Sequence, residues 1–502
     1  MIKYRILHNS LYSLGGWVVP VIVNFLTIPY VVRSLGADSY GILMLSTAVM
    51  GYFALLDINL AVGSIRYISE YHAKNEFENV NEVLTVSFFG YIAAGITGTV
   101  LIYISTDLFL LKWFNIPENL KNLSATTLHL TAVGFFLNMM QNYLSSISRA
   151  IHRFDILAKM EAGFGISLML LTVLILYLGF GLIEVVVLRL IIAFVNCLTC
   201  LWIVKKIIPY ASFVSRVSKG ITNKIASFSA YSFMSKIATA ITNNSDKLII
   251  GSFLSSAAVT LYAIPYLLVS RLMNISVRFS MVIFPIASEL GAIGRRDELE
   301  KIYIVVSRHI FFLNIMITTI LCLFSMQILR LWMGDIFAQK TYVVLILLSL
   351  GMFLDSLTNL PSLINDGLSF PHITGSFALS RAVFGVIALL IGAKFGGLTG
   401  VAFSYMLSSL IFSIAFLLFV HKKTLRMSLM QVINQAFLVP VFISIVAVLA
   451  TLMARVFLPQ SIVTSISEFI LATGIFVFFG YRSVLSSEWQ TKISSRFGIG
   501  KP

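Results

Sequence analysis

Residues 231–253 read YSFMSKIATAITNNSDKLIIGSF, and the reading of this stretch decides the fold. It is as long as a membrane-crossing helix, yet Lys236, Asn243, Asn244, Asp246 and Lys247 crowd into twelve of its residues. Lys236, Thr239, Asn243 and Lys247 recur at i, i+3, i+7 and i+11, so a helix carries them on one face. A polar stripe on an apolar helix reads as one wall of a polar cavity inside a bundle.

The rest of the chain supports that reading. Its 502 residues are 58% hydrophobic and 11% charged, with a mean hydropathy of +0.93. Soluble chains are about a quarter charged, so the composition points to an all-α polytopic membrane protein. Fourteen apolar stretches of spanning length are expected: 11–32, 42–62, 83–106, 123–147, 162–181, 185–204, 228–250, 259–285, 303–325, 342–364, 373–393, 399–420, 433–457 and 461–481. The N-terminus is basic and the first stretch is full length, which predicts a retained span rather than a cleaved signal. With the N-terminus inside, the inner segments hold 22 Lys and Arg, the outer loops 6 and the spans 8. That excess is the one expected of cytoplasmic loops, and it places both termini in the cytoplasm. Cys197 and Cys200 form a CxxC within an apolar stretch, and Cys322 sits in another; all three read as small packing residues. No loop can house a nucleotide-binding domain and no Walker-type glycine loop is present. The net charge of +15 therefore marks membrane topology, not nucleic-acid binding.

The chain also repeats itself. Ser69-Glu70 in YISEYHAKNEFENVNEVL matches Ser288-Glu289 in IASELGAIGRRDELEKIY at an offset of 219 residues, and Trp113 in LLKWF matches Trp332 in LRLWM at the same offset. Tyr40 and Tyr262 align at 222. The expected organisation is two pseudo-symmetric six-helix lobes, 1–210 and 211–425, joined through the basic segment 205–227, with two additional helices and a basic tail over 426–502.

Charges inside spans carry the functional signal. Arg189, Lys236, Lys247, Arg271, Arg278, Arg308, Arg381 and Arg455 are basic; Asp57, Asp246, Asp355 and Glu468 are acidic. A central charge costs about 2.5–3.5 kcal/mol on insertion scales, so it should face a cavity or a partner. Arg271, Asn274 and Arg278 share a face at i, i+3 and i+7, and Asp355 and Asn359 lie at i and i+4. Asn138, Gln141, Asn142 and Ser145 form an uncharged stripe for which interhelical hydrogen bonding is the competing explanation. Buried unpaired cations imply a visiting anion. Arg and Lys at depth suit phosphate, and cations spread over several helices suit a large amphiphilic one, such as a lipid pyrophosphate carrying sugars. Lys236, Asn243, Lys247, Arg271, Asn274, Arg278 and Arg381 are the binding candidates. Asp57, Asp246 and Asp355 are candidates for coupling to an H⁺ or Na⁺ gradient. No cofactor and no metal site are expected.

RSLGADSYGILMLSTAVMGYFALLDINLAVGSIRYISEY (33–71), NNSDKLIIGSF (243–253), FPIASEL (284–290) and ILRLWMG (328–334) resemble the signature regions of the polysaccharide-transport flippases. The likeness runs over about residues 5–420 and is to Wzx-type O-antigen flippases of the multidrug/oligosaccharidyl-lipid/polysaccharide exporter superfamily. It implies a V-shaped pair of six-helix lobes, as in MATE and MurJ transporters, around a cavity lined by spans one, two, seven and eight. Span one adds Asn24, between Pro20 and Pro29, to the candidates. It further implies, in the bacterial inner membrane, an undecaprenyl-pyrophosphate-linked glycan moved from the inner to the outer leaflet by alternating access. A polysaccharide polymerase and a chain-length regulator are the partners it implies. Twelve spans are the common family number. Fourteen keep a lipid-II-type flippase in view, and a cation-coupled drug exporter shares the fold. A membrane polymerase is the enzymatic alternative. It would need an acid, base or histidine at a reaction centre, and His152 in SRAIHRF sits among Arg149 and Arg153 as a basic loop would place it.

Overall fold

Lipid offers backbone amides no hydrogen-bond partner, so a chain of this composition must satisfy them within helices. The structure, a computed structural model, describes residues 2–215, 217–281, 283–457, 459 and 461–484. Side chains are described from Val19 onward, apart from 226–228, 230–232, 234–235, 278–279, 285 and 462. Every regular element among the described residues is helical. In order they are α1 (Ile2–Leu35), α2 (Ala37–Phe53), α3 (Leu60–Ala73), α4 (Phe77–Ser105), the short α5 (Leu111–Trp113), α6 (Lys121–Ala150), α7 (Phe154–Tyr177), α8 (Leu182–Ile207) and α9 (Lys219–Phe253). There follow α10 (Ser256–Ser280), α11 (Ile283–Ala292), α12 (Arg296–Leu323), α13 (Ser325–Met333), α14 (Asp335–Gly367), α15 (Pro371–Val420), the one-turn α16 (Leu429–Val432), α17 (Leu438–Phe457) and α18 (Ile462–Ser483).

Eleven helices among the described residues are long and apolar enough to cross a membrane. The fourteen expected segments all overlap helices. Two of them share α15, which breaks at Gly397 (φ 55°, ψ −141°). Its halves run antiparallel: a Cβ on Gly392 would lie 2.4 Å from the Gly400 carbonyl, and the Phe384–Phe412 and Phe377–Phe416 ring centroids are 5.5 and 5.4 Å apart. The other two are α1 and the polar α9.

The described residues gather into two compact units, one ending at Ala263 and one beginning at Ile264. In the first, α4, α6 and α8 pack side by side and α7 lies against α1. Tyr91, Phe135 and Tyr143 fill the core, and the Tyr143 hydroxyl donates to the Leu84 carbonyl at 2.7 Å. The connector after α8 is bound to this unit. The Tyr210 hydroxyl meets His72 Nδ1 at 2.6 Å, and the Ser218 hydroxyl donates to Glu82 at 2.8 Å.

In the second unit, α14 is the central helix, packed by α11, α12, α13 and α15. Leu299, Tyr303, Leu360, Ile364, Phe416 and Val420 form one cluster, above which the Tyr303 hydroxyl and His421 Nε2 lie 3.0 Å apart. The two additional helices are anchored here. Ile443 and Ala447 of α17 and Phe476 of α18 pack together against Phe312 of α12. The Arg455 Nε donates to Glu468 at 3.0 Å, and its Nη2 donates to the Leu323 carbonyl at the end of α12 at 2.6 Å. Arg455 therefore pairs with a carboxylate as well as lying near a span end.

The repeat read from short motifs is written more fully in the backbone. After α3, Asn75 takes a positive φ, with amides 74, 75 and 76 bonded to carbonyls 70, 72 and 71; after α11, Gly294 does the same, with amides 293, 294 and 295 bonded to 289, 291 and 290. His152 after α6 and Ser369 after α14 repeat the pattern, and Gly179 between α7 and α8 corresponds to Gly397 within α15. Helix ends of this kind satisfy orphan carbonyls through a left-handed residue.

Because Glu468 is buried and Arg455 is mostly so, removing one partner leaves a buried charge, which costs about 3–5 kcal/mol. Arg455→Met is expected to lower the melting temperature of the detergent-solubilised protein markedly. Arg455→Met with Glu468→Met is expected to recover most of the loss.

Candidate functional site

The end of α2 is where the fold departs from a plain helix. A 3₁₀ turn over Ala54–Asp57 closes it, and Ile58 (φ 46°) and Asn59 (φ 59°) then adopt left-handed backbone before α3 starts. A β-branched residue there is an uncommon and strained choice. The break interrupts the expected span 42–62. Asp57, buried beneath it, holds it together: its Oδ1 accepts the Asn59 amide at 2.7 Å and the Lys236 ammonium from α9. The lysine of the opening stretch thus meets a carboxylate 179 residues earlier.

α9 lies antiparallel along α2, and small residues let it approach. A Cβ on Gly41 would fall 1.8 Å from the Ser256 carbonyl oxygen, one on Gly51 2.5 Å from the Asn244 side chain, and one on Gly251 2.5 Å from Leu45. Close packing of this kind drives helix association where apolar surface has no advantage over lipid. Between the glycines the Tyr52 and Ser245 hydroxyls are hydrogen-bonded. At the far end the loops that the repeat aligns clasp each other. Asp38 Oδ1 accepts the Ser256 hydroxyl at 2.5 Å and the Ala257 amide at 3.1 Å, capping α10, while the Thr260 hydroxyl donates to the Ala37 carbonyl at 2.5 Å.

Asp246 sits inside this seam. Its Oδ1 accepts the Lys247 amide (2.8 Å) and ammonium (3.2 Å), and the ammonium also reaches the Asn243 carbonyl at 2.8 Å. Its Oδ2 is buried with no hydrogen bond among the described residues. In the polar stripe of α6, Asn138 and Asn142 are exposed and Asn142 donates to Asn138 one turn away at 3.1 Å, whereas Gln141 and Ser145 are half-buried and Ser145 meets the Cys200 thiol of α8.

The second unit has its own charged centre. Asp355 Oδ2 accepts Arg381 Nη2 at 2.6 Å and the Tyr405 hydroxyl at 2.7 Å; the same Nη2 reaches the Ser409 hydroxyl at 3.0 Å. Asp355 Oδ1 is buried and unbonded among the described residues. Arg381 also borders a small cavity of about 100 Å³ with Thr358, Ser362, Thr374 and Ser413.

The structure therefore brings Lys236 to Asp57, Lys247 and Asn243 to Asp246, and Arg381 to Asp355. It corrects one premise: Lys236, Lys247, Arg381 and Arg455 are each paired with one of the four intramembrane acids, so these four are not unpaired cations. Arg271 (half-buried) and Asn274 (exposed) lie on the α10 segment of the second unit, and Asn24 is half-buried on α1. The Arg278 side chain lies outside the described residues. Tyr405, Ser409, Tyr52 and Ser245 escaped sequence reading because their partners are remote and hydroxyls in spans carry no periodic signal.

The profile of the family described as polysaccharide biosynthesis protein matches residues 6–291, more than half of the chain. The chain belongs to the polysaccharide biosynthesis protein family. The matched part contains the whole α2–α9 seam. A Shigella flexneri chain named for O-antigen transport is 27% identical over 84 residues, a segment covering 17% of this chain and 20% of that relative. Among solved structures, the lipid II flippase MurJ in an inward closed conformation aligns with a TM-score of 0.72 at 14% identity, covering 96% of this chain and 100% of that one. An inward-facing multidrug resistance transporter of the MATE family, MOP superfamily, aligns with a TM-score of 0.70 at 18% identity, covering 83% and 99%. These likenesses give this member of the polysaccharide biosynthesis protein family an all-α, multi-pass MATE/MurJ-type fold.

The seam generates a packing test. Gly41→Ala is expected to force α2 off the start of α10 and to lower the melting temperature in detergent. Gly163→Ala, where a Cβ would meet nothing within 4 Å, is expected to leave it unchanged or raise it slightly.

Proposed function

We propose that this protein is a flippase that carries undecaprenyl-pyrophosphate-linked oligosaccharide repeat units from the inner to the outer leaflet of the bacterial inner membrane. The observation that carries the reading is the family match over residues 6–291, which spans the Asp57–Lys236 pair. The positive-charge bias supports cytoplasmic termini. Transport rather than catalysis fits the family and the folds it resembles.

The paired charges suggest how cargo and gradient are linked. A pyrophosphate entering the first unit competes with the Asp57 carboxylate for the Lys236 ammonium, a compact point charge well suited to phosphate. Asp57, 4% exposed, is then left without its cation. A buried carboxylate in that state is costly, and an H⁺ or Na⁺ drawn onto it restores neutrality. Cargo binding and ion binding thereby become one event. The unbonded oxygens of Asp246 and Asp355 offer two further positions for such an ion. Asn24, Asn243 and Lys247 of the first unit, and Arg271, Asn274, Arg278 and Arg381 of the second, are the further candidates for binding the headgroup. In this scheme export delivers repeat units to the polysaccharide polymerase and chain-length regulator.

Deleting the gene in its host is expected to accumulate complete lipid-linked repeat units on the cytoplasmic leaflet and to abolish surface polymer. Normal leaflet distribution would reject the proposal. Accumulated lipid II would identify the lipid-II flippase as the better reading, and single repeat units reaching the surface unpolymerised would indicate a polymerase.

Lys236→Ala and Arg271→Ala are expected to abolish export, with Arg271→Lys partly active. Asp57→Asn is expected to reduce export more than protein level. Wild-type export in either alanine variant would rule out the anion path, and equal loss of export and protein in Asp57→Asn would remove Asp57 from coupling.

A further inference from the structure

Trp113 and Trp332 hold equivalent places in the two repeats, yet their surroundings differ. Trp332 is buried, whereas Trp113 is 66% exposed. Interfacial anchoring in the headgroup layer explains exposed tryptophans in general, but it would apply to both positions alike. Trp113 instead borders a cavity of about 580 Å³, a size typical of small-molecule sites. The other polar groups on that cavity are Asp107, Lys112, Asn115, Glu118, Lys121 and Ser252.

The local fold builds this pocket. A π-turn over Thr106–Leu110 leads into α5, and a 3₁₀ turn over Glu118–Leu120 leads into α6. Asn115 between them is fixed at both its donors: its amide reaches the Gly251 carbonyl at 2.8 Å and its Nδ2 the Leu254 carbonyl at 2.6 Å. Lys121 and Glu118 pair along one turn at 2.6 Å, and Asp107 lies 3.3 Å from His129.

The chemistry selects a ligand class. Two carboxylates offset two ammonium groups, so the pocket has no cation surplus with which to hold a phosphate. A flat, exposed indole beside alternating donors and acceptors matches a sugar ring, whose C–H face stacks on the aromatic plane while its hydroxyls bond the polar rim. We propose that the pocket beside Trp113 is a sugar-binding site that receives the glycan of the cargo on the outer face. This rests on the flippase reading for the identity of the glycan and for the sidedness of the loop.

The test uses the full-length protein in nanodiscs and, as probe, the repeat-unit oligosaccharide of the host's surface polysaccharide freed of lipid and pyrophosphate. Saturation-transfer NMR is expected to show contact at sugar ring protons. Trp113→Ala should weaken binding about ten-fold, the equivalent of losing roughly 1.4 kcal/mol. Trp113→Phe should lose less, and Gly163→Ala, outside the pocket lining and with open space for a Cβ, should bind as wild type. No transfer with the wild-type protein, or equal affinity in Trp113→Ala, would overturn the site. Leaflet distribution of the lipid-linked unit in the deletion strain, complemented with wild type or Trp113→Ala, separates the two proposals. Wild-type flipping without glycan binding removes the pocket and leaves the flippase; glycan binding without flipping supports the pocket and removes the flippase.

Discussion

A charge placed among apolar helices must find a partner or a cavity, and much of the architecture is arranged around that requirement. Asp57 is the clearest instance. It sits where α2 gives up its regular backbone, accepts an amide of the break, and takes the ammonium of Lys236 from α9. A helix that would otherwise be too polar to sit among apolar neighbours is thereby fixed in depth and rotation. The same logic recurs with Asp246 and Lys247, Asp355 and Arg381, and Glu468 and Arg455. Such pairs specify which helix lies where more than they add stability, since well-packed apolar side chains would often serve at least as well energetically.

Packing supplies what the charges do not. Along α2 and α9 the contacts alternate between glycines that admit a facing chain and hydroxyls that bond across it, so the two helices touch from the Asp38 clasp to the Lys236 pair. In the second unit a longer-range equivalent is built on α14, where Asp355 gathers an arginine and a tyrosine from opposite halves of α15. One unit thus centres its charge on a broken helix and the other on a hairpin.

Much of this was legible in the sequence, and the failures have identifiable causes. Apolar length located the segments that eleven long apolar helices occupy, because lipid demands it. The repeat was visible in three short matches, although its stronger evidence is conformational: Asn75 and Gly294, or His152 and Ser369, share a backbone state without sharing a side chain. The break after Asp57 left no mark, since Ile58 and Asn59 are neither glycine nor proline. The stripes of polar residues were correctly placed on helices, but spacing within a helix says nothing about the residue opposite. Lys236 and Arg381 therefore read as free cations until their carboxylates, 179 and 26 residues away, could be seen.

The reversal within α15 bears on how the chain is made. Fifty residues pass with Arg381 and Lys394 as their only formal charges, and the direction changes at a single glycine whose φ and ψ other residues avoid. Only residues 394–398, with one lysine and two glycines, separate the two passes. With so short a boundary the two passes are expected to insert as a pair, with Gly397 deciding the bend. Biogenesis of the second unit then hinges on a residue that contributes no side chain to it.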